Sequence, residues 1–258
     1  ALATARYLQQ QGTEIEWLGT SAGIEARIVP DAKIKLHYID VAGVRGQGVM
    51  RLLKAPLKIF HSIMQARAVI RAFKPDCVIG MGGFVTGPGG VAAFLSGVPL
   101  FIHEQNAIPG FTNRMLSHFA RRVFQAFPGA FPQGRKVMTT GNPVRAEIAA
   151  IPAPEKRWQE HGGPVRLLVV GGSQGAVALN KVVPEAFALL DHQKFEILHQ
   201  TGQKDADPTR ERYVALGIKA NVTPFITDMA DAYAWADAVI CRSGALTVSE
   251  IAAAGIGA

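Results

Sequence analysis

Strand-length apolar runs alternate with helix-length amphipathic runs along the chain, and the alternation occurs twice, on either side of the polar, proline-containing stretch "IPAPEKRWQEHGGP" at 151–164. The apolar runs predict strands near 13–18, 34–40, 77–82, 99–104, 123–127 and 137–141, then near 165–171, 195–201, 222–226 and 238–242. Helical patterns fill most of the intervals. Repeated βαβ units require crossovers, which makes the strands parallel and covers both faces of each sheet with helices. The expectation is an α/β protein of two doubly wound Rossmann-like domains with an interdomain cleft: 1–150, a linker at 151–164, and 165–258. The opening "ALATARYLQQQG" predicts an amphipathic helix closed by Gly12 with no strand before it, and "AAAGIGA" stops where a further strand would start. Both ends read as those of a fragment.

Composition sharpens this picture. With 48% hydrophobic residues in 258, two cores can form. Only Cys77 and Cys241 are present, each in an apolar run, so buried free thiols in a reducing compartment are expected and a disulfide framework is not. The uncharged stretch from Cys77 to His103 is long enough to span a bilayer, but Gly87-Pro88-Gly89-Gly90 and Pro99 divide it into strand, loop, short helix and strand. The net charge of +7 is uneven: residues 1–150 carry 17 Lys and Arg against 8 Asp and Glu, and the remainder 10 against 12. Residues 44–74 hold Arg45, Arg51, Lys54, Lys58, Arg67, Arg71 and Lys74 without one acid, interleaved with Leu52, Leu53, Leu57, Ile59, Phe60 and Ile63. Such a segment suits an anionic membrane surface, or is a solvated face. Nucleic acid is not expected as a partner, because no RNA-binding aromatic motif or finger pattern accompanies the charge.

Chemistry is sought in the loops after strands, where open α/β sheets bind ligands. "GMGGFVTGPGG" (80–90) and "VVGGSQGA" (169–176) each follow a strand and feed a helix whose first N–H groups suit an oxyanion. "CRSGALTVSEIAAAG" (241–255) does the same, with an ordinary turn capped by serine as the simpler alternative and with Glu250 placed to grip a diol. Gly171, Ser173 and Gly175 also satisfy G-x-S-x-G, yet only His192 and His199 follow, which leaves an α/β hydrolase using Ser173 as a remote alternative. "IHEQN" brings His103, Glu104 and Asn106 to a strand end, although adjacent strand residues point to opposite faces and a direct His103–Glu104 pair is not expected. "TGNPVRAE" carries Arg145, a residue type suited to phosphate and equally to a surface ion pair. Metal-binding spacings are absent.

Taken together, "GMGGFVTGPGG", "HEQN", "AFPGAFP", "GNPVR", "VVGGSQGA" with Asn180, "AYAWAD" and "CRSGALTVSEIAAAG" resemble the MurG family over almost the whole chain. The resemblance implies a GT-B enzyme at the cytoplasmic face of the bacterial inner membrane, working in cell wall biogenesis without a cofactor or metal. It implies inverting transfer of N-acetylglucosamine from UDP-N-acetylglucosamine to the C4 hydroxyl of N-acetylmuramic acid in undecaprenyl-pyrophosphoryl-MurNAc-pentapeptide. Donor contacts are implied at Asn106, Arg145, Ser173, Ile226, Ala245, Leu246, Thr247, Val248, Ser249 and Glu250, with the Ile226 backbone on uracil and Glu250 on ribose. Gly82, Gly83, Gly89 and Gly90 are implied for the acceptor diphosphate, and His103 and Glu104 as catalytic candidates in the cleft. Phe84 stands where some members carry Tyr. The usual general base would lie upstream of Ala1 and a sugar-contacting glutamine beyond Ala258, so little or no transfer by this chain alone is expected. A nonenzymatic, membrane-docked nucleotide-sugar binding protein is the alternative.

Overall fold

The structure is a computed structural model that describes residues 1–41, 49–159, 162–172 and 175–258. The chain divides into two compact units, Ala1–Pro143 and Val144–Ala258. In the first, α1 (Leu2–Gln10), β1 (Glu16–Gly19), α2 (Glu25–Asp31), β2 (Lys35–Tyr38), α3 (Val49–Phe73) and β3 (Val78–Gly80) lead into α4 (Thr86–Leu95), β4 (Leu100–Glu104), α5 (Phe111–Leu116), β5 (Arg122–Gln125) and β6 (Val137–Thr139). The second contains α6 (Ala146–Ala149), α7 (Pro154–Gln159), β7 (Val165–Val170), α8 (Val177–Phe187), β8 (Phe195–Gln200), α9 (Ala206–Ala215), β9 (Asn221–Thr223), α10 (Met229–Trp235), β10 (Ala238–Cys241) and α11 (Ala245–Ala254). Each of the ten expected strands forms within a few residues of its apolar run.

Every strand pairing is parallel. In the second unit the order is β10-β7-β8-β9. Leu168 and Val170 of β7 pack with Ile148, Tyr233, Val239 and Ile251 on one face, while Leu167 and Val169 pack with Val183, Phe187, Ile197 and Tyr213 on the other. Successive side chains on a strand point to opposite faces, so a sheet covered on both sides needs the unbroken apolar run that β7 carries.

The first unit differs from a single doubly wound sheet. β1 and β2 form their own pair, and β3-β4-β5-β6 form a four-stranded sheet. One cluster nevertheless unites them: Leu18 and Ile39 pack with Ala66 and Ile70 of α3, Ala92 and Ala93 of α4, and Val78. The stretch from Cys77 to His103 folds as strand, loop, helix and strand, and among the described residues no helix is long and apolar enough to cross a membrane.

Two expectations are corrected here. The segment 144–150 belongs with the second unit, because fully buried Ile148 joins the core beside Leu168 and Tyr233, and α6 packs on α10 and α11. The expected linker then begins with packed structure: Arg157 of α7 is buried. Cys77 is exposed and Cys241 only partly buried. Cys77 precedes the first paired residue of β3, outside the covered part of the sheet.

Candidate functional site

In the second unit, β7, β8 and β9 succeed one another in one direction and β10 returns to the opposite side of β7. That reversal is the topological switch point at which open α/β sheets bind ligands. Val170 and Cys241 are register partners, so the loops after β7 and β10 leave the sheet side by side. They feed α8 and α11 at Ala176 and Gly244, and neither helix start has a capping side-chain hydrogen bond. Gly244, rather than a serine, occupies the N-cap of α11. Helix starts of this kind direct backbone donors and the positive dipole end outward. Ser173 and Gln174, between Gly172 and Gly175, lie outside the described residues.

Glycine is required in the first of these loops. Gly175 has φ of +78°, and a Cβ there would meet the Thr201 carbonyl oxygen at 1.8 Å. That carbonyl anchors a buried chain of polar groups. Asn180 donates from Nδ2 to Thr201 O and to Asp205 Oδ2, each at 3.0 Å. Its Oδ1 accepts from His199 Nε2 at 3.2 Å, and His199 Nδ1 accepts from the Tyr213 hydroxyl at 3.0 Å. Burial lowers the His199 pKa to about 4, so the ring is neutral and carries its proton on Nε2. With both nitrogens engaged and no exposed surface, His199 is unavailable as a hydrolase base. His192 precedes β8, at the end of the sheet opposite the loop that follows β7, so neither histidine supports the Ser173 hydrolase alternative. The signal available for this network was the histidine that follows Ile197 and Leu198 inside the predicted strand "FEILH".

Glu250 lies on α11, and its partner is Arg145, 105 positions earlier. Arg145 Nε donates to Glu250 Oε1 at 3.1 Å and Nη2 lies 3.0 Å from the same oxygen. Oε2 accepts from the Tyr233 hydroxyl at 3.4 Å. The Glu250 side chain is 19% exposed and that of Arg145 41%. In this same α11, Ala245, Leu246, Thr247 and Val248 form the first turn, and Ser249 turns its hydroxyl back to the Ala245 carbonyl at 2.9 Å. Ile226, in the loop after β9, packs its side chain against the core, and its backbone N–H and C=O have no hydrogen-bond partner among the described residues.

In the first unit, β4 ends in His103 and Glu104, both buried. Glu104 Oε1 accepts from the Asn106 backbone N–H and from Asn106 Nδ2, each at 3.0 Å. Oε2 accepts from the Gly110 N–H at 3.1 Å and from Asn113 Nδ2 at 2.9 Å. The carboxylate thus clamps the whole loop 105–110 to the start of α5. His103 Nε2 donates to Gly141 O at 3.0 Å while Nδ1 accepts from Gln105 Nε2 at 3.2 Å, and burial lowers its pKa. The two side chains make no hydrogen bond to each other.

The four glycines expected at an acceptor diphosphate separate. Gly82 and Gly83 have φ of +83° and +84° in the loop after β3, where glycine alone is unstrained. Gly89 and Gly90 instead lie inside α4 and are buried, and a Cβ on Gly90 would come within 2.6 Å of Leu116 Cδ1. Their smallness serves helix packing, with N–H groups turned into the helix, and this corrects their expected place in an anion-binding loop. On α3, Leu57, Lys58, Ile59 and Phe60 are exposed, whereas Ser62, Ala66 and Ile70 form the inner face. Arg45 and the side chains of Arg51 and Lys54 fall outside the described residues. Among the described residues no group of His, Cys, Asp and Glu side chains is arranged to hold a metal ion.

Parallel α/β units, with paired helix starts at a switch point in the second, define a GT-B glycosyltransferase of family 28: family models for its N-terminal and C-terminal domains match residues 1–125 and 166–258. A Vibrio campbellii protein, "UDP-N-acetylglucosamine--N-acetylmuramyl-(pentapeptide) pyrophosphoryl-undecaprenol N-acetylglucosamine transferase", is 54% identical over all 258 residues, which cover 72% of it. The crystal structure of Acinetobacter baumannii MurG matches 98% of this chain and 72% of its own with a TM-score of 0.80 and 45% identity. A glycosyltransferase of kitacinnamycin, 16% identical with a TM-score of 0.70, shares the fold. The chain belongs to the MurG family.

Proposed function

We propose that this protein transfers N-acetylglucosamine from UDP-N-acetylglucosamine to the C4 hydroxyl of N-acetylmuramic acid in undecaprenyl-pyrophosphoryl-MurNAc-pentapeptide, with inversion at the anomeric carbon. The observation that carries the proposal is the pairing of an uncapped α11 start with a partly open Glu250 carboxylate on the same helix. A nucleoside diphosphate presents two anionic phosphates and a vicinal diol, and this helix offers complements to both.

On this reading the UDP diphosphate meets the first turns of α8 and α11, the ribose hydroxyls meet Glu250, and the backbone of Ile226 meets uracil. Ser173 adds a hydroxyl or N–H to the phosphates, and Asn106 keeps its Oδ1 for the sugar, since Nδ2 is held by Glu104. Charge builds on the departing UDP as the glycosidic bond breaks, so fixed helix donors stabilise the transition state more than the ground state. Arg145 Nη1 is the guanidinium nitrogen not spent on Glu250, and it serves the phosphate. Gly82 and Gly83 hold the acceptor diphosphate. His103 and Glu104 act as positioning residues for the 105–110 loop, because their polar atoms are already committed. The exposed Leu57, Lys58, Ile59 and Phe60 of α3 attach the protein to an anionic membrane surface, at the cytoplasmic face where the donor is found.

The test is the affinity for UDP by titration calorimetry. Glu250→Ala weakens it by about 1–3 kcal/mol if the carboxylate grips the ribose. An unchanged affinity overturns that assignment.

A further inference from the structure

A buried tyrosine sits beneath the carboxylate that the proposed function assigns to ribose, and nothing so far gives it a task. Tyr233 is 1% exposed and packs in the core with Leu168, Val239 and Ile251. A phenol at that depth must find an acceptor for its hydroxyl proton. The acceptor is Glu250 Oε2, at 3.4 Å. Burial and the Glu250 charge both push the phenol pKa up, so the hydroxyl stays protonated and acts towards the carboxylate as a donor.

Arg145 occupies the other oxygen. Both of its contacts fall on Oε1, so the two carboxylate oxygens have different partners on different elements: Oε1 the guanidinium just before α6, Oε2 the hydroxyl on α10. A carboxylate held at one oxygen alone still rotates about its last bond. Held at both, it has one plane, and of its about four lone-pair sites Arg145 takes the two on Oε1 and Tyr233 one on Oε2, which leaves open acceptor capacity on Oε2. Two vicinal hydroxyls approaching together require such a fixed plane, and preorganisation of this kind lowers the ordering cost of binding.

We infer that Tyr233 is a positioning residue for ribose recognition: with Arg145 it sets the plane of the Glu250 carboxylate so that the open side of Oε2 faces the vicinal 2′ and 3′ hydroxyls of a nucleoside diphosphate. The inference rests on the assignment of Glu250 to the ribose. It separates from a general structural role because its effect depends on hydroxyls that belong to the ligand.

The experiment compares UDP with 2′,3′-dideoxyuridine diphosphate in calorimetric titrations of the protein and of Tyr233→Phe. Tyr233→Phe is expected to weaken UDP about fivefold, the scale of one modest hydrogen bond, and to leave the dideoxy compound unchanged. Equal weakening of both ligands, or no weakening of either, overturns the inference. Glu250→Ala tests the underlying assignment separately: it loses UDP affinity and not dideoxy affinity, and if it loses neither, the ribose assignment itself falls. Thermal unfolding qualifies the Phe variant, whose ring fills the same space. Should it not fold, 3-fluorotyrosine at position 233 replaces it: a more acidic phenol tightens UDP up to about twofold without affecting the dideoxy compound. An equal change for both ligands, or none, overturns the inference in that form as well.

Discussion

Glu104 and Glu250 are carboxylates withdrawn from solvent, one in each unit, and their surroundings separate a group that builds a loop from one that binds. Glu104 is 2% exposed and its two oxygens receive donors from Asn106, Gly110 and Asn113, all within its own loop and helix start. Glu250 is held by Arg145 and Tyr233 but stays partly open, with acceptor capacity facing solvent. Burial separates them by degree only. The difference in kind is whether every lone pair already has a donor: Glu104 has four, Glu250 three.

The largest effect follows from the closed case. Glu104→Ala leaves the Asn106 and Gly110 N–H groups and Asn113 Nδ2 without their acceptor, and the loss is about 3 kcal/mol of stability in urea unfolding. Glu250→Ala, by contrast, leaves only the Tyr233 hydroxyl without its buried acceptor, so it is expected to cost UDP affinity and less stability than Glu104→Ala. Should Glu104→Ala unfold at the same urea concentration as the parent, the distinction between the two carboxylates collapses.

Acid sharpens the same comparison with histidines. His199 has a folded pKa of about 4, below the ordinary value near 6.5, so between those pH values the unfolded chain binds a proton that the folded chain does not. Stability therefore falls as pH drops from about 6.5 to about 4, by on the order of 2–3 kcal/mol from this residue. His103, whose pKa burial also lowers, adds in the same direction. His199→Gln is expected to be less stable than the parent at pH 7 and to lose less on acidification. Urea midpoints measured from pH 7 to 4.5 for both proteins check this, and parallel curves would remove His199 from the account.

Much of the fold was legible because parallel strands buried on both faces demand apolar runs, as "RLLVV" and "AVIC" show. The site was legible only in part. Glycines at 82, 83, 89 and 90 look alike as letters, yet two adopt positive φ in a loop and two pack inside a helix, a difference fixed by where α4 begins and by Leu116. The Arg145–Glu250 pair depends on α6 packing against α11, which no local pattern encodes. The same packing moved 144–150 into the second unit. His199 and Tyr213 meet only because α9 lies against β8's neighbours, and the histidine in a strand run signals the first without pointing to its partner.

The smallest expected effect concerns α3, where the first unit turns apolar and basic side chains outward together. Leu57 and Phe60 are 78% and 63% exposed, beside exposed Lys58 and His61. A helix face of this composition gains apolar contact from insertion at the headgroup boundary and charge attraction from anionic lipid. Each well-placed cation contributes about 1 kcal/mol near such a surface, and salt screens it over about 10 Å at 0.1 M. Lys58→Ala is therefore expected to weaken sedimentation with phosphatidylglycerol vesicles about fivefold at low salt, with the difference fading at high salt. Phosphatidylcholine vesicles should not distinguish the two proteins. Equal binding of the parent to both lipids would assign the exposed face of α3 to solvent, and would leave the charge imbalance between the two units without a membrane to answer it.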